Sequence, residues 1–198
     1  MNPDVPDTPH DYLLGFGRTL ERVELTGPGG LALPADGGIT SIVDLIVTMR
    51  DLGKKVMLIG NGGSAAIVSH IHNDLCKAVG LRAVVFNESP LLTAIANDDG
   101  YQEVFARPVA LWADAGDLLI AVSSSGESEN IVKAAVLAQK IGCRLVTFTG
   151  FKPGNRLRQM GDVNVYVPIA NYGYVEMAHS VIAHCVTDLV VTRAVAPV

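Results

Sequence analysis

From residue 54 onward, short apolar runs alternate with stretches whose apolar residues return at helical spacing. The runs are Val56–Ile59, Ala83–Phe86, Leu118–Val122, Leu145–Phe148 and Val163–Val167. Helical patterns lie between them at 64–79, 102–113, 129–141 and 155–160, and a long one follows from Tyr174 to Arg193. A run that is apolar at nearly every position, rather than at every second one, belongs to a strand covered on both faces. Such strands, separated by helices, build a parallel sheet with helices on both sides. The expected fold class is therefore α/β, with a five-stranded parallel sheet flanked by helices. In folds of this type ligands sit beyond the carboxyl ends of the strands, so the loops after the strands are the ones to read for function.

The first 53 residues differ in pattern. Residues 1 to 10 hold three prolines and should be loose. Leu13, Phe16, Leu20 and Val23 then recur at helical spacing, and Ile39, Ile42, Val43, Ile46 and Met49 form a second amphipathic stripe that closes near Gly53. Thr26 to Gly38 is a loop by composition. The two stripes need a partner surface, either the sheet that follows or the same helices of another subunit. The domain reading is a single domain over 1–198, with an N-terminal helical arm over 1–53 and an α/β core over 54–198.

A chain of 198 residues that is 49% hydrophobic and 18% charged folds around one sizeable core and is not disordered. Its net charge of −5 argues against nucleic acid as a partner. No basic stretch followed by an apolar one opens the chain, so a secretory leader is not expected. No uninterrupted apolar run has the length of a membrane span, so no membrane is expected either. The cysteines are Cys76, Cys143 and Cys185, an odd number without a Cys-x-x-Cys spacing, which reads as reduced thiols in a cytoplasmic protein.

Three loops carry the candidate chemistry. After Val56–Ile59 comes Gly60-Asn61-Gly62-Gly63, and Ser64 opens a helix. Glycines let backbone N–H groups approach an anion, and a helix N-terminus favours negative charge; an ordinary tight turn would look the same. After Leu118–Val122 comes Ser123-Ser124-Ser125-Gly126-Glu127-Ser128, again at a helix start. One serine would suffice as an N-cap, and four hydroxyls favour a phosphate cradle. Glu127 would repel a phosphate and is expected to point outward. The third loop holds Asn97 and Asp98 before Gly100.

The ionisable groups lie on helices. His70 and Asp74 are four residues apart and share a face, which could hold a metal, a proton-transfer pair or only a hydrogen bond. His72 points elsewhere. Glu176, His179 and His184 interrupt the otherwise apolar last helix, where buried ionisable groups need partners. His179 lies more than a quarter turn from His184 and reads as a structural histidine.

Gly60-Asn61-Gly62-Gly63-Ser64-Ala65, Leu92-Thr93-Ala94-Ile95-Ala96-Asn97-Asp98 and Ser123 to Ser128, in that order and spacing, resemble the sugar isomerase (SIS) family and within it the phosphoheptose isomerases. The resemblance runs from about Lys54 to Leu189. It implies a flavodoxin-like three-layer sandwich and a homotetramer with the N-terminal helices at its centre. It also implies isomerisation of sedoheptulose 7-phosphate to D-glycero-D-manno-heptose 7-phosphate through an enediol, with zinc and without a nucleotide cofactor. The resemblance ties His70 and His184 to zinc and catalysis; Asp74 and His184 are the expected acid–base pair, and His70, Asp74, Glu176 and His184, from two helices, could fill a zinc tetrahedron or work without metal as plain acid and base. Asn61, Gly62, Gly63, Ser64, Asn97, Asp98, Ser123, Ser124, Ser125, Ser128 and Glu176 bind the substrate. The family usually carries Glu where this chain has Asp74, Gln where it has Glu176, and Arg near Ala78, where Lys77 is the neighbouring cation. Two other functions share the motifs: a non-catalytic phosphosugar-binding regulator, of which one kind binds the bacterial replication initiator, and an isomerase of another phosphosugar.

Overall fold

The structure is a computed structural model that describes residues 6–195; the first five of the ten residues expected to be loose lie outside that range. Its elements are α1 (Pro9–Glu21), β1 (Glu24–Thr26), β2 (Ala32–Leu33), α2 (Ala35–Asp51), β3 (Val56–Gly60), α3 (Gly63–Asp74), β4 (Ala83–Val85), α4 (Ser89–Asp98), α5 (Ala106–Trp112), β5 (Leu118–Ser123), α6 (Glu129–Ile141), β6 (Arg144–Gly150), β7 (Val163–Val167) and α7 (Tyr172–Val195). One seven-stranded sheet runs in the order β2-β1-β7-β6-β5-β3-β4. The strands β4, β3, β5, β6 and β7 are mutually parallel, as the apolar runs imply.

The count of five strands is corrected to seven, because β1 and β2 extend the sheet antiparallel beyond β7. Both fall around the stretch read as a loop. Strands of three and two residues carry no periodic signal, and their stability is non-local. Leu25 is buried opposite Val165, Asn164 Nδ2 donates to the Thr26 carbonyl at 3.3 Å, and Arg158 pairs with Glu24 at 2.7 Å while stacking on Tyr166. The same anchoring lets α2 begin at Ala35, earlier than its apolar stripe.

Three helical expectations also change. Leu92–Asp98 is not a loop but most of α4, started by Pro90 in its first turn and seated by Ile95. The 102–113 pattern splits into a short 3-10 turn and α5, and the 155–160 pattern yields one 3-10 turn, Leu157–Gln159. The helix starting at α3 widens at its end into a π turn, Leu75–Val79, and stops at Gly80 in the left-handed conformation.

Alternate strand residues feed two cores. Val56, Leu58, Ile120 and Val146 face α2, α3 and α7, and pack with Ile42, Ile46, Val68, Ile71 and Val186. Met57, Ile59, Leu119 and Leu145 face the other way, onto Ile95, Val109, Ile131 and Ala135 of α4, α5 and α6. Residues upstream of 54 thus share the first core. α7 is long and apolar enough to cross a bilayer, but Ile182, Ala183, Val186 and Val190 spend that hydrophobicity on the core. The three cysteines are free, and burial pushes the Cys143 thiol up to about 11.

Candidate active site

The chain passes from β3 outward to β4 and then returns to place β5 on the other side of β3. At such a reversal the loops after the two central strands splay apart and leave a crevice. The loops after β3 and β5 meet there. A cavity of about 240 Å³ is lined by Asn61, Gly62, Gly63, Ser64, Ser123, Ser124, Ser125, Ser128, Tyr172 and Glu176. The structure therefore brings together nine of the expected substrate-binding residues from three elements. A larger groove of about 510 Å³ lies between α5 and α6. Its Arg107, Lys133 and Arg156 are already paired with Asp99, Glu103 and Glu129, and it holds no acid–base cluster.

The serine loop is a tight cradle. Gly126 N donates to Ser123 Oγ at 3.2 Å, Glu127 N donates to Ser125 Oγ at 3.2 Å, and Ser123 Oγ donates to Ser128 Oγ at 3.3 Å. Ser124 Oγ is buried with no hydrogen-bond partner. A buried hydroxyl left unpaired costs ~1–3 kcal/mol, and Ser124 belongs to the cavity wall, so a ligand there is a candidate partner for it. Glu127 does turn away, its carboxylate accepting from Arg156 N at 3.0 Å. The Glu176 carboxylate fills the space that a side chain at Gly63 would need, which sets it at the rim of the cradle.

His70, Asp74 and His184 form a second group, roughly two to three helical turns further along α3 and α7. Their ligating atoms lie within 4.8 Å of one another, and the two imidazole rings are 4.6 Å apart. Asp74 Oδ2 is 3.5 Å from His70 Nε2 and 4.0 Å from His184 Nδ1. Thr187, itself buried, donates to the same oxygen at 3.3 Å. Two imidazoles and a carboxylate form a set that suits zinc with a position left open. The expected fourth ligand, Glu176, is not in this group but beside the cradle.

Asn97 and Asp98 do not line the cavity. They sit exposed at the end of α4, bonded to each other at 2.8 Å. Lys77 is exposed on the π turn. His179 is wholly buried, donates through Nε2–H to the Thr149 carbonyl at 3.1 Å, and meets Phe148 edge-on. Burial pulls it down to about 4, so it is the neutral structural histidine that its bearing suggested. Three contributors carried no sequence signal. Tyr101 and Asn130 both bond Asn61, and Thr187 holds Asp74; each pairing spans dozens of residues.

A Gly-rich turn and a serine cradle meet at a sheet reversal, with an imidazole–carboxylate cluster beyond, in the arrangement that the SIS resemblance implies. The SIS domain family matches residues 34–150. The chain is 36% identical over 163 residues to the phosphoheptose isomerase of Geobacter sulfurreducens, covering 79% of this chain and 86% of that one. It is 40% identical over 159 residues to the phosphoheptose isomerase of Clostridium acetobutylicum, covering 77% and 80%. Among solved structures, a phosphoheptose isomerase from Neisseria gonorrhoeae superposes with a TM-score of 0.80 at 25% identity, over 91% of this chain and 95% of that one. The chain belongs to the SIS domain family and, within it, to the phosphoheptose isomerases.

Proposed function

We propose that this chain is an aldose–ketose isomerase that converts sedoheptulose 7-phosphate to D-glycero-D-manno-heptose 7-phosphate. The observation that carries this reading is the separation of the two polar centres. Ser64 and His70 are six residues apart on α3, about 9 Å along its axis at ~1.5 Å per residue. That is the reach of an extended heptose whose phosphate sits in the serine cradle and whose carbonyl end lies at Asp74 and His184. Ser64, Ser123, Ser124, Ser125 and Ser128 hold the phosphate, and Asn61 with Glu176 contacts the sugar.

Asp74 removes a proton from the carbon beside the ketose carbonyl and returns it to the former carbonyl carbon. His184 gives a proton to the carbonyl oxygen and takes one from the neighbouring hydroxyl, so the enediol forms and collapses without net loss of protons. His70 and Thr187 hold the carboxylate in place. The donor set of His70, Asp74 and His184 fits zinc, which when bound would polarise the carbonyl as a Lewis acid. Asp74 is a methylene shorter than the glutamate that the resemblance implies, and the Thr187 hydrogen bond, with His184 4.0 Å away, supports it in the same work. Asn97 and Asp98 stand outside the cavity and take no role in this chain's own site.

The acid–base cluster supports an enzyme over a phosphosugar-binding regulator, which needs only the cradle. Three free thiols agree with a cytoplasmic setting, and exposed leucines on α1 agree with a homotetramer. The deciding experiment is a coupled assay against a panel of phosphorylated ketoses, with zinc content measured on protein purified without chelator. Turnover of sedoheptulose 7-phosphate, abolished by the Asp74→Asn change, is the expected result. Turnover of only a shorter ketose phosphate, or an Asp74→Asn variant as active as the parent, would overturn it.

A further inference from the structure

Asn61 lines the phosphate cavity and also a wider hollow of about 460 Å³ beside it, so its amide stands at the neck between them. The orientation of that amide can be worked out bond by bond. Ile131 N, at the start of α6, can only donate, and it donates to Asn130 Oδ1 at 3.0 Å. This fixes which end of the Asn130 amide is oxygen. The other end donates to Asn61 Oδ1 at 2.9 Å, and Asn61 Nδ2 returns a bond to Asn130 Oδ1 at 3.0 Å. Tyr101 Oη then donates to the same Asn61 Oδ1 at 3.1 Å. Ile131 N also donates to the Ser128 carbonyl at 3.0 Å, so its bond to Asn130 is shared, and an N–H facing that end of the amide still excludes the NH2 group there.

Both lone pairs of the Asn61 oxygen are now engaged, and so is one of its two amide hydrogens. What Asn61 has left to offer is one N–H. Tyr101, whose only proton is committed to Asn61, has acceptor lone pairs left. Because the Asn61–Asn130 pair uses the inner hydrogen and lone pair of each amide, the free N–H leaves Asn61 on the edge away from Tyr101, where it can meet an acceptor oxygen of a ligand. The Tyr101 side chain is half exposed and belongs to neither core, so its hydroxyl bond to Asn61 is the contact that ties it to the site.

We propose that Tyr101, backed by Asn130, is a positioning residue: it locks the Asn61 amide so that its one free N–H donates to an oxygen of the sugar chain at the neck of the site. The inference rests on the phosphosugar reading above. It is tested by steady-state kinetics with sedoheptulose 7-phosphate on the full chain, the Tyr101→Phe variant and the Asn130→Asp variant. The latter keeps the acceptor for Ile131 but loses the donor that orients Asn61. Inorganic phosphate serves as a competitive probe of the cradle alone.

The loss of one neutral hydrogen bond predicts that Tyr101→Phe raises KM by about 3- to 10-fold, with kcat changed by less than about twofold. The inhibition constant of phosphate and the Tm should stay at the parent values. Asn130→Asp should raise KM in the same direction. An unchanged KM in an otherwise active enzyme overturns the inference and leaves the isomerase reading standing. So does a KM that rises together with the phosphate inhibition constant, because Tyr101 would then only support the cradle. A parent protein that neither turns over the sugar nor is protected thermally by it overturns both.

Discussion

Three groups converge on Asp74 Oδ2: the His70 and His184 imidazoles and the Thr187 hydroxyl. Thr187 is the hydrogen-bonding member of the three, and the other carboxylate oxygen, Oδ1, accepts from the exposed Asn73 amide at 3.2 Å, a contact that a substrate would replace. If this oxygen moves the carbon-bound proton, removing its basicity without changing its shape should abolish chemistry and spare binding. Asp74→Asn is expected to lower kcat by about 10²–10⁴-fold with a small change in KM, read by progress curves at saturating sugar phosphate. His179 makes a different prediction. Its folded value is depressed to about 4 from 6.5, so the folded chain keeps it neutral while the unfolded chain protonates it as pH falls below 6.5. Its neutral burial is therefore without penalty above that value. Between pH 6.5 and 4 stability is lost progressively, to a limit of about 3 kcal/mol. Urea midpoints measured at pH 7 and pH 5 should fall for the parent and fall less for His179→Gln, which keeps a donor for the Thr149 carbonyl. Equal falls in both proteins would assign the acid sensitivity elsewhere.

At the scale of elements, the serine cradle depends on one glycine. Gly126 has φ +66°, and the Asn155 side chain occupies the place of its missing Cβ. Asn155 cannot retreat cheaply. It donates to the carbonyls of Gly150 and Lys152 and accepts from Arg158 N, while Leu157 N reaches back to the Gly126 carbonyl. Gly126→Ala should therefore cost about 2 kcal/mol or more and raise KM for the sugar phosphate, measured by thermal melts and kinetics on one preparation. This loop was legible in the sequence, because four serines at a helix start after a buried strand are a local pattern. So were the five parallel strands, whose apolar runs need no partner to be recognised. The β1–β2 extension was not, since Leu25 and Leu33 become strand residues only when β7 offers an edge. Leu92–Asp98 looked like a loop because its polar end was read without Pro90 and Ile95. The placing of Glu176 by the cradle, and not with the metal-type cluster, depends on where α7 crosses Gly63, which no spacing along one helix reveals. Asn61 and Asn130, likewise, are neighbours only because β3 and β5 are.

At the scale of the whole molecule, the isolated chain leaves its chemistry uncovered. The His70 and His184 side chains are 55% and 51% exposed, although an enediol needs protection from bulk water. On α7, Val181, His184, Cys185, Asp188 and Leu189 make one exposed stripe at helical spacing. Whatever covers the apolar members of that stripe also covers His184. On α1, Leu13 is 70% exposed and Leu14 49%, a cost that a folded monomer has no reason to bear. If the proposed homotetramer forms through these two patches, it closes the site as it forms, and assembly and activity should be lost together. Light scattering is expected to give about four times the chain mass of 20.9 kDa. Replacing Leu13 and Leu14 with Glu should shift the mass downward and lower kcat in the same samples, with the far-ultraviolet circular dichroism unchanged. A parent protein that is monomeric at micromolar concentration and fully active would sink this link, as would a dissociated double variant that retains the parent kcat.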